Sequence, residues 1–159
     1  MNSIKIWNFT IDDHSSTFII AELSANHGWS IENAKEIIKI AAESWANAVK
    51  LQTYTADTMT IDCDLPDFQI NSGTAWDGKN LYQLYGEAYT PWEWHKELKN
   101  YANSLWLELF STPFDETAVD FLESIDVPCH KIASFENNDI PLIKKVARTG
   151  KPIIISTGM

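Results

Sequence analysis

From Phe18 onward the chain alternates short apolar runs, rich in isoleucine and valine, with stretches whose apolar residues recur at helical spacing. FIIAEL (18–23), AVKLQT (48–53), LELFST (107–112), CHKIAS (129–134) and IIIST (153–157) read as strands, because short apolar runs bounded by turn residues suit strands covered on both faces. Between them lie helices. Ser30 caps the first, where Ile31, Ala34, Ile37, Ile38, Ala41 and Trp45 make one apolar stripe. Thr90, Pro91 and Glu93 form a capping box with proline at the first helical position, ahead of Trp94, Leu98, Tyr101, Ala102 and Leu105. Asp115 caps a helix carrying Ala118, Phe121, Leu122 and Ile125, and a last helix over about 140–149 stops at Gly150.

Alternating strands and helices predict parallel strands joined by right-handed crossovers, hence an α/β fold. A (β/α) TIM-type barrel closes with eight strands and roughly 250 residues, whereas an open doubly wound sheet could be complete in 159 residues. The residues after the first strand, SANHGWS, hold one glycine rather than the glycine-rich phosphate loop of the doubly wound fold. The reading is therefore an incomplete barrel with about five strands and four helices of eight each, occupying residues 1–159 as one unit. The segment from about 56 to 89 breaks the rhythm, and its length predicts a functional loop or lid over one end of the sheet.

Composition narrows the function classes. With 45% hydrophobic and 21% charged residues the chain is an ordinary packed globule, and its net charge of −10 disfavours nucleic acid and anionic membrane as partners. The opening MNSIKIWNFT has no signal-peptide pattern and no apolar run is long enough for a membrane span, so a cytoplasmic protein is expected, with Cys63 and Cys129 as free thiols. His14, His27, His95 and His130 lack metal-ligand spacing, so no metal site within this chain is expected. Trp92, Trp94 and His95 read as packing for the second helix, while His27, just past the first strand, is open to either role. Arg148 is the sole arginine, so an anionic ligand would be held by lysines, hydroxyls and backbone N–H groups.

Catalytic groups in parallel α/β folds collect where strands end. Those ends carry Glu22 and Ser24, Lys50 and Gln52, Thr112, Lys131 and Ser134, and Ser156. Lys50 and Gln52 share one face of their strand, and a lysine inside a buried strand is costly unless it meets an anion or a carboxylate. Two readings follow. Lys50 pairs structurally with Glu22 and Lys131 points outward between helices, or the set forms an anion pocket with Glu22 as base or polyol ligand.

IIAELSANH (19–27), AVKLQTYT (48–55), EAYTPWEWHKEL (87–98), STPFDETAVDFL (111–122), HKIASFE (130–136), DIPLIKKVA (139–147) and TGKPIIISTGM (149–159) closely resemble the amino-terminal half of the sialic acid synthase family, and within it the pseudaminic acid synthases. The resemblance implies a divalent-metal-dependent (Mn or Mg) condensation of phosphoenolpyruvate with an open-chain acylamino sugar, giving a nonulosonic acid and phosphate. It implies phosphoenolpyruvate contacts from Lys50, Gln52, Thr112, Lys131, Ser134 and Ser156, a catalytic carboxylate at Glu22, and Glu136 near the sugar hydroxyls. It further implies a homodimer, and metal ligands, three more strands and an antifreeze-like domain that lie outside these residues. Trp29, Trp45 and Trp106 stand where the family usually has glycine, and a left-handed backbone there would cost roughly 1–2 kcal/mol each.

The expectation is thus the phosphoenolpyruvate-binding half of a synthase, inactive by itself. The alternative is a non-catalytic α/β module acting only as a partner or remnant, and a third reading is a Schiff-base aldolase using Lys131 or Lys50.

Overall fold

The apolar runs assemble into one parallel sheet whose spatial order is the order of the chain. In the computed structural model, which describes residues 3–74 and 76–157, the strands are β3 (Ile20–Glu22), β4 (Ala48–Thr53), β5 (Glu108–Pro113), β6 (His130–Ile132) and β7 (Ile153–Ile155), hydrogen-bonded in that sequence. A doubly wound sheet would reverse its order at a switch point. Here the winding runs one way, and right-handed crossovers then place the helices on one face. The result is a curled half of a (β/α) barrel, with β3 and β7 as its edges among the described residues.

The helices follow their sequence signals with one exception among the apolar stripes: Trp45, expected on the stripe of the first helix, lies past that helix's end and is exposed. Helix α1 (Ile31–Glu43) starts at Ser30, whose side chain accepts the Asn33 N–H, and α5 (Glu116–Ser124) starts at Asp115, which accepts from Thr117 and Ala118. Helix α6 (Ile140–Ala147) starts at Asp139, which accepts from Leu142. At α4 (Trp92–Ser104) the helix begins one residue later than expected, with Pro91 rather than Thr90 as the cap and without the capping box, and the Thr90 hydroxyl lies 3.3 Å from the His27 ring. The 56–89 segment is an ordered excursion rather than an open loop: α2 (Ala56–Met59), a short 3₁₀ turn (Pro66–Phe68) and α3 (Leu81–Ala88), whose N-cap Asn80 forms the capping box with Gln83.

Strand alternation divides the core. Leu23, Val49, Leu51 and Leu109 pack outward on α1 and α4, while Val119, Ile132, Leu142 and Val146 fill the space under α5 and α6. The inward positions Ile20, Ala48, Phe110 and Ile154 share a cluster with Ile6. Ile6 belongs to an antiparallel hairpin, β1 (Ile4–Ile6) with β2 (Phe9–Ile11), that plugs the amino end of the half barrel. The sequence reading had no element before Phe18, since two three-residue strands give too short a pattern.

Trp29, Trp45 and Trp106 do adopt left-handed backbone, with φ of 59°, 65° and 64°, and Trp7 in the hairpin loop joins them at 46°.

Candidate functional site

Lys50 and Gln52 alternate with the outward Val49, Leu51 and Thr53, so both project into the half barrel. Parallel register sets Glu22 opposite Lys50 and Gln52 opposite Thr112. The Glu22 carboxylate pairs with the Lys50 ammonium; the side chains are 39% and 17% exposed, so the pair opens to the interior rather than lying sealed in the core. The other Glu22 oxygen accepts the Ser24 N–H at 3.2 Å and its hydroxyl at 3.1 Å, fixing the carboxylate's orientation.

Lys131 also faces the interior. Its neighbours His130 and Ile132 point outward, His130 to the Glu123 carboxylate of α5 at 2.8 Å and Ile132 into the packing of α5 and α6. The Lys131 ammonium donates to the Ser156 hydroxyl at 2.6 Å and to the Ile132 carbonyl at 2.5 Å. Burial lowers its pKa from the ordinary lysine value, and the nearby Lys50 charge lowers it further, against the opposing pull of Glu136 and Glu22. Two ammonium groups and two carboxylates, Glu22 and Glu136, thus act on one another across the inner face of the sheet. The Glu136 pKa is raised by burial, and one of its carboxylate oxygens is buried without a hydrogen-bond partner.

Gln52 and Ser134 line an adjoining cleft of about 280 Å³ with Tyr54, Met59, Tyr85 and Phe114. Tyr54 meets Tyr85 and Phe114 edge-on, and burial pushes its hydroxyl up to about 12, so the phenol stays neutral. Sequence reasoning missed this wall. The signal existed: Tyr54 and Phe114 each stand two positions past an expected ligand, Gln52 and Thr112. Tyr85 comes from α3, which strand periodicity cannot place.

Three of the four histidines, His27, His95 and His130, are buried in the packing, and His14 is exposed. His27 is buried, accepts the Trp29 N–H at 3.1 Å on Nδ1 and faces the Thr90 hydroxyl with Nε2; burial lowers its pKa. On the outer face of the sheet, the His95 Nδ1–H donates to the Pro91 carbonyl at 3.1 Å, so its Nε2 accepts from the Thr53 hydroxyl at 2.8 Å. Thr53 in turn accepts from Ser111 at 2.6 Å, and burial holds His95 at about 4. Among the described residues no three His, Cys, Asp or Glu side chains converge in a way that could hold a metal ion. No helix among them is long and apolar enough to cross a membrane.

A singly wound parallel half barrel with two lysines, a carboxylate and a serine hydroxyl at the carboxyl ends of its strands defines the (β/α)-barrel class of protein, in which that end of the sheet is the functional one. Residues 37–159 match the NeuB family, and the chain belongs to it. It is 52% identical over 141 residues to a pseudaminic acid synthase of Helicobacter pylori, covering 89% of this chain and 41% of the relative. It is 45% identical over 156 residues to a pseudaminic acid synthase of Campylobacter jejuni, covering 98% of this chain and 45% of the relative. Among solved structures it resembles an N-acetylneuraminic acid synthetase from Leptospira borgpetersenii, in complex with citrate, with TM-score 0.83 and 29% identity over 99% of this chain and 50% of that one. The chain thus spans half or less of the length of these relatives.

Proposed function

We propose that this chain forms the phosphoenolpyruvate-binding part of a nonulosonic acid synthase of the pseudaminic type, a transferase of carbohydrate biosynthesis. The observation that carries the reading is the convergence of Lys50 and Lys131 on the inner face of the sheet, Lys131 anchored to Ser156 and Lys50 to Glu22. Phosphoenolpyruvate is an anion at both ends. An ammonium at each of two strand ends, with hydroxyl and amide donors from Ser156, Thr112, Ser134 and Gln52 around them, matches that charge and supplies directional contacts.

In the condensation, C3 of the enol bonds to the aldehyde carbon of the acylamino sugar, and the aldehyde oxygen takes up a proton. Water adds at C2, and phosphate leaves as the new keto group forms. Lys131 and Lys50 hold the charge that builds on the phosphoryl and carboxylate groups. Glu22, oriented by Ser24, is placed to exchange a proton with the sugar oxygen or the water. Glu136 takes a sugar hydroxyl, and the aromatic cleft of Tyr54, Tyr85 and Phe114 takes the apolar acyl or methyl end of the sugar. The divalent ion that the resemblance implies, Mn or Mg, does not fit these residues alone, and its ligands are expected from outside them. Dimerisation and a cytoplasmic location belong to this reading as well.

Calorimetry with phosphoenolpyruvate tests the assignment: saturable binding by the parent chain, lost on replacing both Lys50 and Lys131 with alanine, is expected. Binding that survives the double replacement refutes it. The depressed pKa of Lys131 favours a second reading, an imine-forming aldolase. Borohydride with pyruvate would trap that enzyme covalently and leaves the synthase unmodified.

A further inference from the structure

Of the seven tryptophans, four (Trp7, Trp29, Trp45 and Trp106) have positive φ. Only a few per cent of non-glycine residues do, mostly Asn and Asp, so seven tryptophans placed without regard to backbone would give well under one. Each of the four occupies a turn that ordinarily selects glycine.

Helix α1 ends in a Schellman motif: the Ala46 N–H donates to the Ala41 carbonyl and the Trp45 N–H to Ala42, with Trp45 as the left-handed residue past the cap Ser44. Helix α4 ends identically, Leu107 donating to Ala102 and Trp106 to Asn103. In the next two units the left-handed stop is Asp126 after α5 and Gly150 after α6, residues suited to it. Trp7 opens the two-residue loop between the paired Ile6 and Phe9, where positive φ at the first position alone calls for glycine. Trp29 follows the left-handed Gly28, immediately before the cap Ser30.

At two of the four the side chain offers little to offset this: Trp45 and Trp106 are 86% and 88% exposed. Trp29 donates to the Glu87 carbonyl and meets the Tyr89 ring edge-on, and the Lys99 ammonium lies over the Trp7 ring, yet both indoles stay about half exposed. The remaining tryptophans have ordinary backbone: Trp92 stacks on Phe121 and donates to the Tyr54 carbonyl, Trp94 meets the edge of the His27 ring, and Trp76 lies near the Lys79 ammonium. Two populations of one residue type, divided by backbone conformation, point to two codons. UGG specifies tryptophan, whereas UGA is read as tryptophan in some genetic codes and as glycine in others.

We propose that residues 7, 29, 45 and 106 are glycine in the protein its own cells make, specified by UGA codons decoded as glycine, and that Trp76, Trp92 and Trp94 are true tryptophans. The cleft at the amino ends of the strands, walled by the Trp7 and Trp106 indoles, is then no binding site, and the carboxyl end of the half barrel is the functional one.

The test is peptide mapping of the protein isolated from the cells that encode it. The tryptic peptides Ile6–Lys35, Ile40–Lys50 and Asn100–Lys131 are expected to carry glycine at the four positions, with tryptophan retained at 92 and 94 in Asn80–Lys96. Tryptophan at 45 and 106 in the native protein overturns the proposal. So do TGG codons at the four positions of the gene, where TGA is expected. In recombinant protein, Trp45→Gly and Trp106→Gly should each raise the folded-to-unfolded ratio about five-fold, the relief of left-handed strain less the entropy of glycine. An unchanged or lower ratio counts against it.

Discussion

Glu22 and Lys50 stand opposite each other in adjacent parallel strands and pair inside the half barrel, away from the helix-covered face. The carboxylate therefore competes with any anion for the ammonium. Lys50→Ala should weaken phosphoenolpyruvate binding by about 1.5–3 kcal/mol, or roughly 10- to 150-fold, the worth of a charge-assisted contact. Glu22→Gln should tighten it a few-fold while removing turnover in the assembled enzyme. Calorimetry on the two variants checks the opposite signs, and weakening in both would mean that the pair is only a structural brace.

In the proposed role Lys131 would bind an anion as an ammonium, and its pKa is depressed first by burial and then by Lys50. Phosphoenolpyruvate affinity should therefore fall with rising pH sooner than an ordinary lysine would allow. Lys131→Arg, charged throughout, should flatten that alkaline limb. Titrations by calorimetry between neutral pH and pH 10 measure both. An affinity constant across that range in the parent chain contradicts the role given to Lys131.

His95 sets a pH dependence of a different origin. Its pKa is held at about 4 by burial, below the 6.5 of an exposed imidazole, so between those values the unfolded chain binds more protons than the folded one. The stabilising contribution is complete above about pH 6.5 and is lost as the pH falls to 4, on the order of 3 kcal/mol in all. His27 and His130 are shifted the same way by burial and add to the trend. Urea unfolding at pH 7 and pH 4.5 should show the loss, and His95→Gln should reduce the slope. A variant with the parent's full slope would place the effect elsewhere.

The sequence was most legible where one physical signal stood alone. The parallel strands, the Ser30 and Asp115 caps and the Gly150 stop follow from local pattern, and the missing glycine-rich loop favoured the barrel over the open sheet. Alternation within β4 was enough to send Lys50 and Gln52 to one face. Legibility failed where residues distant in the chain compete for one partner. Thr90 has every local reason to cap α4, yet its hydroxyl faces His27, which the chain carries 63 residues earlier. The aromatic wall beside Gln52 depends on Tyr85, delivered by a helix in a stretch with neither strand nor barrel rhythm.

That wall gives a separable prediction. Tyr85 and Phe114 line the cleft beside Gln52 and Ser134, whereas Lys131 and Lys50 are bonded to Ser156 and Glu22. Tyr85→Ala in an assembled synthase should raise KM for the acylamino sugar about ten-fold or more, since burying a large aromatic contact is worth about 1.5–3 kcal/mol. Phosphoenolpyruvate affinity should be unchanged. Loss of phosphoenolpyruvate binding with the sugar KM intact would reverse the two halves of the site.

The last prediction concerns turnover by this chain alone. Condensation needs the aldehyde polarised and held within reach of the enol, and the described residues offer two ammonium groups and a carboxylate but no convergent metal cage. The sheet also exposes β3 and β7 as unpaired edges, so nothing among the described residues closes the sugar side of the pocket against water. The 159-residue chain is therefore expected to bind phosphoenolpyruvate without consuming it. Phosphate release should appear only when a polypeptide carrying the remaining strands is added, and should disappear again with Glu22→Gln. The assay is phosphate release from phosphoenolpyruvate with manganese and candidate acylamino sugars. Turnover by the purified chain without a complement, sensitive to Glu22→Gln, would mean that this half barrel builds a complete site by a route that its own geometry does not reveal.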